Sequence, residues 1–152
     1  MHDLSPDEIL GYVPQKEPFR FIDEILYVDD ESIEGAYRFR PESDFYRGHF
    51  PGNPVTPGVI LIECLAQLSV VSHAIYTAAK DRAEGDDRFQ MLFSDANVEF
   101  NQVVKPGQRV IVKAKKRFWR RGKYSATAQM EFEDGTLVCS GVLSGIVVGE
   151  NK

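Results

Sequence analysis

The stretch Gly48–Gln67, GHFPGNPVTPGVILIECLAQ, changes from a loop rich in Pro and Gly to an apolar run, and this change indicates the centre of the fold. Thr56 is placed to act as the N-cap of a helix, with Pro57 in its first turn. From Val59 to about Ala79 the chain is apolar nearly all round, and a helix of this kind is buried on most sides. The sequence therefore predicts one long, buried central helix.

Most of the remaining chain has the pattern of β-strands. Residues 124–132 alternate apolar and polar side chains with period two, which is typical of a strand with one buried face. Asp134-Gly135 predicts a hairpin turn after this strand, and Arg120–Gly122 predicts one before it. The strands expected on these grounds cover residues 20–27, 32–40, 89–100, 108–118, 124–132 and 137–148.

Three segments are expected to lie outside the sheet. The capping box from Ser5 to Glu8 predicts a short helix over residues 6–12. Pro41–Pro57 is expected to be an ordered loop with little regular structure, and residues 81–87 a solvated loop that ends the central helix.

Together these elements predict a single domain over residues 1–152 with an α+β fold, in which a curved antiparallel sheet of five or six strands wraps around the central helix. One sheet face cannot cover a helix that is apolar on most sides. A second copy of the chain is therefore expected to complete the cover, as a homodimer.

Composition and length suit a soluble globular protein of 152 residues, with 43% hydrophobic and 27% charged residues. The longest mainly apolar stretch, Val59–Val71, is interrupted by Glu63 and Gln67. No uninterrupted apolar run therefore reaches the length of a membrane span. No secretory signal is visible, and Cys64 and Cys139 form neither a metal-binding pattern nor a disulfide framework. We expect a cytoplasmic protein with no membrane or nucleic-acid partner.

The charges are unevenly distributed along the chain. Nine of the 18 Lys and Arg residues fall between Lys105 and Lys123, a stretch without a single acid, although the net charge is -5. Such a patch favours an anionic partner, but it is also typical of a solvated strand face and a charged hairpin that protects a sheet edge. Both interpretations stay open. The candidate docking residues are Lys115, Lys116, Arg117, Arg120, Arg121 and Lys123.

Glu63 and His49 are the candidate catalytic residues. A carboxylate in apolar surroundings is costly unless it is neutral or paired, so Glu63 is a candidate general acid. Gln67, one turn further on the same helix face, is placed to orient it. His49 is a candidate base, because its ordinary pKa is about 6.5. The alternatives are a thin solvated stripe or a structural ion pair with a lysine for Glu63, and a single structural hydrogen bond for His49. We expect His73 to serve packing or to lie at the surface.

Gly58 is a candidate oxyanion donor. It lies in the first turn of the helix, where backbone N–H groups lack intrahelical partners and the helix dipole favours negative charge. A base, an acid and an amide donor suit proton abstraction next to a carbonyl with loss of a β-hydroxyl, although the spacing alone does not distinguish this from hydrolysis.

The stretch Gly48–Gln67 resembles the signature of the FabZ-type β-hydroxyacyl-acyl-carrier-protein dehydratases: G-H-F-P-G-x-P, then P-G-V, then a Glu and an A-Q pair. The related FabA-type enzymes carry Asp where this chain has Glu63. The resemblance covers about residues 11–148. Its further matching segments are Pro18-Phe19, Phe21–Asp23, Val98–Phe100 and Val104–Gly107.

This resemblance implies the hot-dog fold and a homodimer with two sites at its interface, each combining His49 of one subunit with Glu63 of the other. FabZ-type proteins commonly assemble further into hexamers. His49 would take the C2 proton of a (3R)-3-hydroxyacyl thioester, Glu63 would help the hydroxyl leave as water, and the Gly58 amide would hold the thioester carbonyl. The partner would be acyl carrier protein, and neither a metal nor a redox cofactor is needed.

The resemblance has departures, and two other functions stay open. Pro14-Gln15-Lys16 stands where the family often has P-H-R, and Thr56 stands where it usually has Met. The alternatives to a dehydratase are a hot-dog acyl thioesterase, in which Glu63 activates water or attacks the thioester, and a non-catalytic acyl-thioester-binding protein.

Overall fold

The computed structural model describes residues 3–79 and 90–148, so the predicted loop at 81–87 lies outside the described residues. Six strands form one antiparallel sheet in the order β1-β2-β4-β5-β6-β3, which confirms the predicted architecture. The strands are β1 (Glu24–Val28), β2 (Ser32–Arg38), β3 (Met91–Phe100), β4 (Arg109–Arg120), β5 (Lys123–Phe132) and β6 (Leu137–Val147). Two short helices, α1 (Pro6–Tyr12) and α2 (Phe45–Gly48), precede the central helix.

The central helix runs over Gly58–Ala78 and packs across the inner face of the sheet. Its middle part, Gln67–Ser72, is π-helical and wholly buried. The helix is long and apolar enough to cross a membrane, although no membrane span was expected from the uninterrupted apolar runs in the sequence. However, 72% of its most apolar stretch is buried inside the protein, as in the core helix of a globular fold.

Close contact between helix and sheet depends on Gly35 of β2. A Cβ atom at this position would lie 2.2 Å from Cδ2 of Leu68 and 2.9 Å from the carbonyl oxygen of Glu24. Only glycine lets the middle of the helix approach the sheet this closely.

The predicted start of the central helix is wrong in one detail. Pro57, not Thr56, occupies the N-cap position, and no side chain caps the helix. The Thr56 hydroxyl instead pairs with the hydroxyl of Tyr46 at 2.6 Å, because both groups are buried and each satisfies the other. Tyr46 belongs to α2, a short helix within the segment that was expected to have little regular structure.

The first strand also begins later than the sequence predicts, at Glu24 instead of Arg20. Arg20 folds back onto the end of α1, where its guanidinium donates to the carbonyl oxygens of Leu10 at 2.6 Å and Gln15 at 3.1 Å. These bonds fix the loop after α1 against the body of the protein.

His73, for which packing or a surface position was expected, is a buried polar group in the core, 1% exposed. Its Nε2 donates to the carbonyl oxygen of Asp29 at 2.7 Å, so Nδ1 carries no proton and accepts from the hydroxyl of Tyr124. Burial lowers the pKa of His73, and the charge of Lys116 lowers it further, whereas Asp29 and Glu31 oppose the shift.

This lowered pKa makes folding stability depend on pH. Below about pH 6.5, His73 binds a proton more readily in the unfolded chain than in the folded chain. The free energy of unfolding is therefore highest above that pH and decreases as the pH falls. The melting temperature of the wild type should therefore drop more between pH 7.5 and 5.5 than that of His73→Gln. The control is Gln129→Leu, which removes no titratable group from the exposed face of the sheet, and its drop should equal that of the wild type. An equal decrease in melting temperature for wild type and His73→Gln would show that His73 does not cause the pH dependence.

Candidate active site

His49 is held at the C-terminal end of α2 by the loop that follows it. Its Nδ1 lies 3.0 Å from the carbonyl oxygen of Val55, and the N–H of Val55 donates to the His49 carbonyl at 2.9 Å. Since a carbonyl can only accept, Nδ1 carries the proton and Nε2 has a free lone pair in the neutral ring. The half-buried imidazole, stacked on Phe50, is therefore oriented to accept a proton through Nε2.

Glu63 is fixed by the buried side chain of Gln67, as the four-residue spacing predicts. Nε2 of Gln67 donates to Oε2 of Glu63 at 2.9 Å and to the carbonyl oxygen of Phe19 at 2.9 Å. Oε1 of Gln67 accepts from the N–H of Phe21 at 2.7 Å. Three bonds leave Gln67 a single orientation, so the carboxyl group of Glu63 has one oxygen committed and one available.

Glu63 is half-buried in the single chain and lines a small, mostly apolar pocket. The cavity volume is about 30 Å³, which is enough for a hydroxyl group or one water molecule. Its walls come from the central helix, the start of β3, the end of β6 and the loop after α1. Its lining includes Gln15, Glu63, Met91 and Gly145.

Gly58 is the first residue of the central helix, so its N–H has no intrahelical partner. The ring of Phe100, on the neighbouring strand β3, covers it so closely that a Cβ atom would lie 3.1 Å from the ring. A donor that is free of the helix ladder and next to an aromatic ring is suited to a carbonyl group approaching in apolar surroundings.

Within one chain, no described interaction joins His49 directly to Glu63. Over residues 3–79 and 90–148, no hydrogen bond or ion pair joins them, and His49 is not among the residues around the Glu63 pocket. Exposed apolar side chains lie beside each of them: Leu92, 64% exposed, lines the Glu63 pocket, and Phe50, 49% exposed, stacks on His49. The imidazole of His49 and the carboxyl group of Glu63 are thus each held by hydrogen bonds, beside apolar surface that one chain leaves uncovered.

The six basic candidates do not share one surface. Lys115 and Lys116 are successive residues of β4 and point to opposite faces of the sheet. The guanidinium of Arg117 donates to the buried hydroxyl of Ser125 at 2.8 Å. Only Arg120 and Arg121 lie exposed at the tip of the β4–β5 hairpin.

Lys123, the last of the six, is paired with Asp95 of β3 at 3.0 Å. The hydrogen bond from Lys123 is the main reason that the pKa of Asp95 is lowered. Lys123 therefore joins the tip end of the hairpin to β3, the strand that begins beside the Glu63 pocket.

Gln15 was not singled out by the sequence, yet it lines the Glu63 pocket. Its only sequence signal is the departure from the P-H-R pattern. In the part of the chain that the structure describes, no three His, Cys, Asp or Glu side chains are grouped as a metal site requires. Both cysteines are free and buried.

Comparisons with known proteins match this chain to one family. Residues 13–141 match the model of the FabA-like domain. A 3-hydroxyacyl-[acyl-carrier-protein] dehydratase FabZ of Caldicellulosiruptor bescii is 31% identical and covers 90% of this chain and 94% of its own. The FabZ of Syntrophobacter fumaroxidans is 37% identical over 82% of each chain.

Solved structures share the fold at low sequence identity. The dehydratase heterocomplex ApeI:P of Xenorhabdus doucetiae has a TM-score of 0.76 and 13% identity, and covers 97% of this chain and 93% of its own. A thioesterase of Haemophilus influenzae has a TM-score of 0.67 and 14% identity, with the same coverage. These likenesses confirm the hot-dog fold, which dehydratases and thioesterases have in common.

Proposed function

The chain belongs to the FabA-like family, and on that premise we propose that it dehydrates a (3R)-3-hydroxyacyl thioester on acyl carrier protein to the trans-2-enoyl thioester, in fatty-acid or related acyl-chain biosynthesis. The observation that carries this proposal is the carboxyl group of Glu63, held by Gln67 at the wall of a pocket that has room for one hydroxyl. A carboxyl group so held suits protonation of a leaving hydroxyl.

Each group then has a defined part in the reaction. Nε2 of His49 takes the C2 proton, and the electrons of that C–H bond form the C2–C3 double bond. The C3–O bond breaks as Glu63 donates its proton to the oxygen, which leaves as water. The N–H of Gly58 donates to the thioester carbonyl and stabilises the negative charge that develops there.

We propose that each site combines His49 of one subunit with Glu63 of the other, in a homodimer. Within the described residues of one chain no hydrogen bond joins His49 to Glu63, and His49 does not line the Glu63 pocket, which supports this arrangement. The apolar, exposed strand β3 at the edge of the sheet also supports it, because an edge of this kind favours pairing with a second chain. We propose a hexamer of three dimers as the larger assembly, and native mass spectrometry would detect it.

For the acidic carrier protein, we propose docking at the tip of the β4–β5 hairpin. Arg120 and Arg121 are exposed there, and the Arg120 guanidinium lies 4.3 Å from the ring of Phe118, which holds it in place. The strand register puts this hairpin at the pocket, since Tyr124 pairs with Gly145, a residue of the pocket wall. We also propose that the enzyme works in the cytoplasm, where we expect its carrier protein.

Reversing both tip charges tests the docking surface. The variant Arg120→Glu/Arg121→Glu should raise KM for the carrier-bound substrate about tenfold, because complementary charge promotes encounter. KM for the same acyl group on pantetheine alone should stay unchanged. The control, Lys105→Glu/Lys113→Glu, reverses as many charges elsewhere in the basic stretch. An equal rise for both substrates, or for both variants, would argue against docking at the tip.

Product analysis tests the reaction itself. A (3R)-3-hydroxyacyl carrier protein incubated with the enzyme should lose one water and keep its thioester, as seen by mass spectrometry. Release of the free acid would instead support the thioesterase, which the shared fold keeps as the second candidate. Binding without any change in mass, over a series of chain lengths, would indicate a non-catalytic acyl-thioester-binding protein.

A further inference from the structure

Gln15 carries a buried acceptor atom with no partner. Among the residues that the structure describes, two buried side-chain atoms lack a hydrogen bond: Oε1 of Gln15 and Oγ of Ser69. Of these two residues, only Gln15 lines the pocket of Glu63. An unpaired buried acceptor is costly, and it needs an explanation such as a ligand that donates to it.

The backbone around Gln15 is fixed, so the position of this acceptor is not accidental. The guanidinium of Arg20 donates to the Gln15 carbonyl at 3.1 Å and to the carbonyls of Leu10 and Val13 at 2.6 and 3.3 Å. These bonds hold the loop after α1 in place, and Gln15 lines the same small cavity as Glu63.

We infer that Oε1 of Gln15 accepts a hydrogen bond from the 3-hydroxyl group of the substrate. This inference rests on the proposed dehydration. A hydroxyl that is to be protonated by Glu63 still carries its own hydrogen, and it needs an acceptor for that hydrogen while its lone pair faces the acid. An amide oxygen suits this part because it accepts the bond without competing for the proton that Glu63 gives.

Gln15 thus selects for acyl chains with a hydroxyl at C3 and positions that hydroxyl for departure. When the C3–O bond breaks, the oxygen keeps the electron pair of that bond and takes one proton from Glu63. It leaves as water, and its original hydrogen still donates a hydrogen bond to Oε1 of Gln15. The saturated and the enoyl chains have no such hydrogen and gain nothing from Gln15.

Binding to an inactive enzyme isolates this contact. In a His49→Ala background, dissociation constants are measured for two pantetheine thioesters of equal length, the (3R)-3-hydroxyacyl and the saturated acyl. We expect the hydroxyacyl ligand to bind more tightly, through its hydrogen bonds with Gln15 and Glu63. The added change Gln15→Leu should lower that preference about fivefold, the size of one neutral hydrogen bond, whereas Gln15→His, which keeps an acceptor, should retain it.

The matched control is Gln129→Leu, a change of the same kind on the exposed outer face of the sheet, which should leave the preference intact. Circular dichroism checks folding, and Gln15→Met replaces Gln15→Leu if the latter fails to fold. An undiminished preference in a folded Gln15→Leu or Gln15→Met protein overturns the inference, as does a background enzyme without preference. Failure of the proposed function is a different result: wild-type enzyme that forms no enoyl product.

Discussion

Replacing Glu63 by Gln is expected to lower kcat for dehydration about 10³-fold, the usual contribution of a general acid. Gln has the same shape as Glu and can still accept the hydrogen bond from Gln67, so the pocket should keep its geometry. What the variant lacks is the proton that the departing hydroxyl requires. Steady-state kinetics with a (3R)-3-hydroxyacyl thioester, together with a melting curve, measures both effects.

The control for this variant is Glu42→Gln, which removes a carboxylate from an exposed loop and should keep wild-type turnover. KM should change little in Glu63→Gln, because the acid acts mainly in the transition state. Wild-type turnover by a folded Glu63→Gln protein would exclude Glu63 as the acid.

Replacing His49 by Ala is expected to reduce kcat by a similar factor, about 10³, since nothing else held at that position can take the C2 proton. His49→Gln should be equally inactive although its amide can still bond to the Val55 carbonyl, because an amide is not a base. Exchange of the C2 hydrogen with deuterated solvent, followed by mass spectrometry, reports this step separately from loss of the hydroxyl.

The other described histidine provides the control. His73→Gln changes a core hydrogen bond at a distance from the pocket and should lose stability but keep most of its turnover at pH 7.5. Equal losses of turnover in folded His49→Ala and His73→Gln proteins would show that the effect of His49 is not specific to the chemistry.

Much of the fold could be predicted because its signals are local. Alternation over residues 124–132 and the turn residues Arg120–Gly122 and Asp134-Gly135 depend on neighbouring positions, and the strands confirm them. The start of the central helix depends instead on a tertiary contact between Thr56 and Tyr46. That contact outweighs the preference of Thr56 for the N-cap position, and no local sequence pattern predicts the contact.

The candidate site shows the same division. The bond between Gln67 and Glu63 follows from helical spacing, so the sequence predicts it. Gln15 reaches the same pocket through folding of the loop after α1, which Arg20 fixes by contacts with backbone carbonyls. Such contacts have no periodicity, and only the three-dimensional structure brings Gln15 and Glu63 together.

The most direct test of the account is dehydration by a mixture of two inactive variants, His49→Ala and Glu63→Ala, after subunit exchange has been verified by native mass spectrometry. If each site takes His49 from one subunit and Glu63 from the other, half of the dimers in an equal mixture are mixed, and each has one intact site. The mixture should then recover about a quarter of wild-type turnover. No recovery despite proven exchange would contradict a shared site built from these two residues.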